Sequence, residues 1–288
     1  MIKKNIIIEK EMTENNQHIV QLLLKHHSID VSPFDETFLE KSLQKRIAVM
    51  NCLSQEEYFI FLQKNKKEGI RFSHSLFICY SEFFRNPLTF AFLERLILPS
   101  LIAKKIYSKQ KEIRIWCAAC AAGQEAYSLA MLLEENKNGN ANKFNYRIFA
   151  TDQSQQEINE AQKGHYSDSA IKNLTIKRFN KWFIKHGNNN TIIPELKTHI
   201  DFSVFDLFNP QLSAPPASIF GDFDLVICAN LLFYYKPEYR KTILSKINKC
   251  LAREGFLITG ETERDILSKN NYKEVYLHSG IFQKKQQP

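Results

Sequence analysis

The 288-residue sequence predicts an α/β protein with a doubly wound, mostly parallel sheet, a small helical N-terminal domain and an antiparallel β-insertion. Three observations carry this expectation. Up to about residue 65 the apolar residues recur at helical spacing. After Lys111, short apolar runs alternate with amphipathic stretches, the rhythm of strand-helix-strand units that stack into a parallel sheet. Between Tyr166 and Phe202 that rhythm gives way to a helix, a turn and an apolar-polar alternation.

The elements follow in order. "HIVQLLLKHH", "DETFLEKSLQKRIAVM" and "SQEEYFIFLQKNKK" read as three amphipathic helices, with a break at Ser32-Pro33. The third opens on Ser54 and Glu57, at the spacing of a capping box. These helices define a domain over 1–75, on which Lys41, Lys45 and Arg46 are expected to share a basic face. A junction over 76–110 contains Asn86-Pro87, a helix start. The domain over 111–288 begins with strand "IRIWCAA", helix "EAYSLAMLLEEN", strand "YRIFATD" and helix "SQQEINEAQKGHY". Within it, the insertion over 166–204 reads as helix "TIKRFNKWF", a turn at Asn188-Asn189-Asn190 and a β-ribbon through "TIIPELKTHIDFSVF". Strand "FDLVICAN", helix "PEYRKTILSKINKCLARE", strand "GFLITGE" and an antiparallel closing segment "KEVYLHSGIFQKK" complete it.

Composition excludes several classes. At 44% hydrophobic and 24% charged residues, the chain is an ordinary globular protein. No apolar run approaches the roughly 20 residues of a membrane span. Ile6-Ile7-Ile8 is far shorter than the apolar region of about 7 to 15 residues in a secretory signal. The expectation is a cytoplasmic protein that is not integral to a membrane. The six cysteines are scattered as reduced, small hydrophobes would be. Cys117 and Cys120 form a C-A-A-C pair, but no second Cys or His pair completes a zinc site, so no metal is expected. A formal net charge of +8 favours an acidic partner without choosing among nucleic acid, membrane and protein.

In open α/β sheets, ligands bind beyond the carboxyl ends of the strands. There lie the small-residue loop Ala118–Gly123, Glu125 in the first helical turn, Asp152 ending "FATD", Asp206 in "VFDLF" and Asn230 in "ICANLLFYY". An acidic residue at the end of the second strand characteristically holds ribose hydroxyls. The loop has one glycine, Gly123, and neither the G-x-G-x-x-G of diphosphate dinucleotide sites nor a P-loop Lys. A ribose-bearing ligand without phosphate fits, and S-adenosylmethionine is the candidate. Competing readings stay open for single residues. Asp152 could cap a helix, Glu125 could favour a helix dipole, and Tyr234 and Tyr235 could be core.

Taken in order, "SEFFRN", "RIWCAACAAGQEAYSLAMLL", "IFATDQS", "AQKGHY", "FDLVICANLLFYY" and "LAREGFLITGETE" resemble the CheR-type chemotaxis receptor methyltransferases. The resemblance spans nearly the whole chain. It implies a Rossmann-like S-adenosylmethionine-dependent protein-glutamate O-methyltransferase, releasing S-adenosylhomocysteine and a glutamate methyl ester. It implies roles as well. Ser81 and Arg85 lie over the cofactor and the methyl-transfer site, and Cys79 and Ala118 join the cofactor-lining set. Glu125 binds the amino-acid end, Asp152 the ribose, Asp206 and Leu207 the adenine, and Ala229 and Asn230 the methionine portion. Tyr234 lies beside the reactive methyl, so Arg85 and Tyr234 are the catalytic candidates. The implied partner is the acidic helical cytoplasmic domain of a chemoreceptor, bound by a monomer and without nucleic acid.

The sequence departs from the family pattern. Hydroxyl residues of the family loop are alanines here, Ala121 and Ala122, and the arginine of its C-R-N is Ala229. The insertion loop is short and lacks the glycine-rich form associated with tail-peptide binding, so a receptor tail is not expected to be required. These departures also suggest an alternative, a cofactor-binding signalling module with weakened catalysis. "NLLFYY" lacks the Asn/Asp-Pro-Pro-aromatic pattern of DNA amino-methylating enzymes, which argues against a nucleic acid substrate.

Overall fold

The computed structural model describes residues 16–77, 80–137, 144–187, 189–218 and 221–285. The chain divides into two compact units, Met1–Ile78 with Phe233–Arg240, and Cys79–Leu232 with Lys241–Pro288. Among the described residues no helix is long and apolar enough to cross a membrane.

The first unit is helical: α1 over 16–27, α2 (Glu36–Val49), α3 (Gln55–Lys64) and α4 (Lys66–Ser75). Polar caps define the starts. Asp35 accepts from the backbone N–H groups of Thr37 and Phe38, Ser54 from Glu57, and Asn65 from Glu68, each satisfying donors that a helix start leaves free. Asn65 therefore splits the third expected helix in two. Ile19, Leu23, Leu39, Leu43, Tyr58, Leu62 and Phe72 fill the core. Arg46 corrects the expected basic face. Its guanidinium turns inward and grips Glu68, with Nη2 2.5 and 2.7 Å from the two carboxylate oxygens. The Tyr58 hydroxyl donates to the same carboxylate at 2.9 Å.

The second unit begins with α5 (Pro87–Phe92), a π turn (Leu93–Ile97) and α6 (Leu98–Ile106). There follow β1 (Glu112–Ala118), α7 (Gln124–Lys137), β2 (Asn145–Asp152), α8 (Gln155–Lys163) and β3 (His165–Tyr166). The insertion region supplies α9 (Ile176–Trp182), β4 (Phe183–His186), β5 (Asn189–Ile192), α10 (Pro194–Lys197) and β6 (Ile200–Val204). The remainder is β7 (Phe223–Ile227), α11 (Pro237–Cys250), β8 (Leu251–Ile258), α12 (Arg264–Ser268), β9 (Tyr272–Glu274) and β10 (Ile281–Lys284).

Seven strands form one sheet in the order β6-β2-β1-β7-β8-β10-β9. Its first five strands pair in parallel, and β10 runs antiparallel to both β8 and β9. This is the mostly parallel Rossmann-like architecture expected from the alternation. The central strands are apolar on both faces because helices cover both: Ile113, Ile115, Trp116, Leu225, Val226 and Ile227 are all buried. A second, three-stranded antiparallel sheet has the order β3-β5-β4.

Two boundaries differ from the sequence reading. "TIIPELKTHIDFSVF" is not one ribbon: Pro194, which has no N–H to give a ladder, opens α10. Ile200–Val204 then joins the large sheet parallel to β2. "LARE" belongs to β8 rather than to the helix before it. In the expected asparagine turn, Asn189 and Asn190 lie in β5, while Asn188 lies outside the described residues.

Candidate functional site

The loop after β1 is shaped by backbone conformation. Ala119, Ala121 and Gly123 have φ of 62°, 46° and 89°. Left-handed residues turn successive N–H groups toward one side, a geometry suited to polar or anionic groups. At Gly123 a Cβ would stand 3.0 Å from Ala161 Cβ and 3.2 Å from Phe202, so both φ and space favour glycine there. Cys120 N–H donates to Thr151 O at 2.8 Å, and the Tyr166 hydroxyl donates to Ala122 O at 2.6 Å. Asp152 ties the loop to β2: its carboxylate accepts from Ala121 N at 3.0 Å and Ser154 N at 2.9 Å. Ser154, not Asp152, caps α8. Burial raises the Asp152 pKa, and these backbone donors oppose the rise.

Glu125 sits in the first turn of α7, 8% exposed. Burial pushes its carboxyl up to about 7, with the Arg85 charge opposing the rise and the Glu263 charge adding to it. The segment bearing Ser81 and Arg85 is held from several sides. Phe84 (φ 52°) donates its N–H to Ser128 Oγ at 3.0 Å, and Ser128 donates to Gln124 O at 2.7 Å. Arg85 Nη1 donates to Tyr80 O at 2.8 Å. Glu82 accepts from Lys172 at 2.7 Å and from Asn173 at 3.1 Å, and Lys172 first, then Tyr80, holds its carboxyl down to about 2. Arg178 stacks 4.5 Å over the Phe84 ring while paired with Glu94 and Glu135.

At the end of β7, Asn230 adopts φ 59°. Its backbone N–H donates to Glu263 Oε2 at 2.7 Å, and Leu232 N–H to Glu263 Oε1 at 2.6 Å. Sequence reasoning missed Glu263. It lies at the end of the motif "LAREGFLITGETE", just after the strand read as "GFLITGE", and nothing in that local pattern marks it as buried.

The charges of Arg85 and Glu263 both act on Glu125, and Glu263 binds the Asn230 backbone. The segment carrying Ser81 and Arg85 is tied to the start of α7 through Phe84 and Ser128, and Ala118, Asp152 and Ala229 lie at the ends of neighbouring strands. Asp206 follows β6, exposed, its carboxylate accepting from Phe208 N at 2.8 Å, and Leu207 beside it is buried. Tyr234 falls in the helical unit: its carbonyl accepts from Asp35 N at 2.8 Å, and its ring packs 4.7 Å from Phe38. Cys79 lies outside the described residues. Cys117 and Cys120 are buried, which raises both thiols well above their usual range. No group of His, Cys, Asp and Glu among the described residues could hold a metal.

Three buried polar atoms around this site lack any partner: Ser81 Oγ, Gln124 Oε1 and Asn230 Nδ2. Buried polar atoms are rarely left so. Together with the unpaired Glu125 carboxyl they fit an amino-acid moiety, whose ammonium and carboxylate would satisfy acceptors and donors respectively. Asp152 retains acceptor capacity for hydroxyls. The residues thus suit S-adenosylmethionine.

Comparison with known proteins agrees. Residues 80–280 match the family model described as CheR methyltransferase, SAM binding domain. A chemotaxis protein methyltransferase of Borreliella burgdorferi is 29% identical over 255 residues, 88% of each chain. Chemotaxis protein methyltransferase 1 of Pseudomonas aeruginosa is 32% identical over 202 residues, 69% of this chain and 70% of that one. The Listeria monocytogenes chemotaxis protein methyltransferase is 26% identical, over 94% of this chain and 98% of its own.

Proposed function

The chain belongs to the CheR methyltransferase family and is an S-adenosylmethionine-dependent methyltransferase, and from that premise we propose that its acceptors are glutamate side chains in the cytoplasmic helical domain of a chemoreceptor. The products are then a glutamate methyl ester and S-adenosylhomocysteine. The observation that carries the site assignment is the bare Glu125 carboxyl beside three orphaned buried polar atoms. Glu125 receives the cofactor's ammonium, Asp152 its ribose hydroxyls, and Ser81, Gln124 and Asn230 complete the cradle. Asp206 and Leu207 flank the adenine, and Ala118 and Ala229 leave room for the ligand to approach backbone.

When bound, the cofactor supplies an electrophilic methyl on a sulfonium. An acceptor glutamate needs no general base, because its reference pKa is about 4.3 and it is already ionised at neutral pH. The protein's task is to align the acceptor oxygen with the methyl and to exclude water. Arg85 positions the acceptor carboxylate. A tight ion pair would quench nucleophilicity, so Arg85 acts by orientation more than by stabilising charge. The hairpin between β4 and β5 is short, and we assign no requirement for a receptor tail peptide.

The test is methyl transfer from methyl-labelled S-adenosylmethionine to purified receptor cytoplasmic fragments, with and without their C-terminal tails. Base-labile label on glutamates, at similar rates for both fragments, is expected. Binding of S-adenosylhomocysteine without label on any fragment would refute the substrate assignment. A large rate loss on tail removal would refute tail independence alone.

A further inference from the structure

We propose that Glu263 is a positioning residue of the methyl-transfer site: its carboxylate, sealed between the ends of β7 and β8, fixes the backbone turn that presents Asn230 to the cofactor. The inference rests on the reading that Asn230 lines that cofactor.

Glu263 is 0% exposed. Its Oε2 accepts from Asn230 N at 2.7 Å, Thr259 Oγ1 at 2.8 Å and Gly260 N at 3.0 Å, and its Oε1 accepts from Leu232 N at 2.6 Å. Three of these donors are backbone N–H groups on two different strand ends. A charged acceptor makes such bonds short and strong, and removing it leaves several buried donors unsatisfied. The turn it holds needs holding. Asn230 sits in the left-handed region at φ 59°, which Asn tolerates better than most residues. Gly260 keeps the room that this conformation requires: a Cβ there would stand 2.7 Å from Asn230 Oδ1.

The division of labour is specific. The Asn230 backbone N–H is committed to Glu263, while its side-chain Nδ2 is buried without a partner. Internal structure thus anchors the main chain and leaves the amide for a ligand. Glu263 also acts through space on Glu125, which faces Arg85 as its opposing charge and lies near the Cys117 and Cys228 thiols. That field gives a readout that a merely structural brace would not move.

The experiment is calorimetric titration of the full chain with S-adenosylhomocysteine between pH 5.5 and 8.5, for wild type, Glu263→Gln, Gly260→Ala and Asn230→Ala. In Glu263→Gln the amide oxygen can replace Oε2, but its NH2 then opposes the Leu232 N–H. Affinity at pH 8 is expected to fall at least tenfold, and the acid limb of binding to move to lower pH as Glu125 loses a like-charged neighbour. Gly260→Ala crowds Asn230 without touching that charge, so affinity should fall and the limb stay. Glu263→Gln binding within twofold of wild type, with an unmoved limb, overturns the proposal. If that variant fails to fold, normal affinity in Gly260→Ala overturns it instead. Asn230→Ala separates the two levels. Unchanged binding there refutes the placement of Asn230 at the cofactor, and this inference with it, whereas weakened binding there but in neither other variant refutes this inference alone.

Discussion

Glu68 of the helical unit and Glu125 of the α/β unit are 1% and 8% exposed, and the protein treats them in opposite ways. Glu68 is saturated, gripped by Arg46 through both oxygens and by the Tyr58 hydroxyl. Glu125 accepts no hydrogen bond from any described residue, and burial lifts its carboxyl to about 7. A carboxylate whose partners come from its own fold is structural. One that is buried and left bare is destabilising until something else supplies the partner, which is the physical mark of a ligand site.

Substitutions can break or sharpen that contrast. The largest expected effect is Glu68→Ala, which strands a partly buried guanidinium and the buried Tyr58 hydroxyl and should destabilise the helical unit by up to about 3–5 kcal/mol, read by chemical denaturation. Glu125→Gln should act in the other direction. Because its folded pKa is raised from 4.5 to about 7, the folded state binds more protons between those values, so Glu125 reduces stability progressively as pH rises through that window. Removing the charge should raise stability at pH 8 by up to about 3 kcal/mol and leave it nearly unchanged at pH 4. The same variant should lose about 10–100-fold in S-adenosylhomocysteine affinity, the value of a charge-assisted hydrogen bond. Calorimetry and denaturation together would separate the two effects.

In the wild-type protein, cofactor affinity should weaken as pH falls below about 7, approaching tenfold per unit where Glu125 must ionise to bind. A flat profile from pH 5.5 to 8 would show that Glu125 does not receive the ammonium. Tyr166→Phe removes the bond to Ala122 O and should reduce cofactor affinity by roughly threefold to tenfold, the worth of one hydrogen bond. The smallest effect should be Lys104→Ala. Its pair with Glu254 is solvent-exposed, so the denaturation midpoint should be indistinguishable from that of the wild type.

What the sequence disclosed follows from what is local. Strand-helix alternation placed Glu125, Asp152 and Asn230 at the ends of β1, β2 and β7, because period and turn chemistry are properties of neighbouring residues. Glu263 was invisible: two of its four donors, Asn230 N and Leu232 N, lie 33 and 31 positions away, and only Thr259 and Gly260 are near neighbours. Arg46 misled for the same reason, since a cation on an amphipathic helix looks solvated until its partner 22 residues later folds against it. Pro194 did carry a legible signal, the end of a ribbon, which the alternation of the surrounding residues masked.

The insertion's attachments limit how this enzyme can be re-engineered. Tyr166 braces the cofactor loop, Lys172 and Asn173 clasp Glu82, and Arg178 covers Phe84. A chimera that exchanges the whole segment for that of a relative would remove these four grafting anchors at once and reshape the active site. An exchange restricted to the tip of the β4–β5 hairpin would retain them. The freely exchangeable sequence therefore stops at the hairpin, and the rest of the insertion travels with the catalytic scaffold.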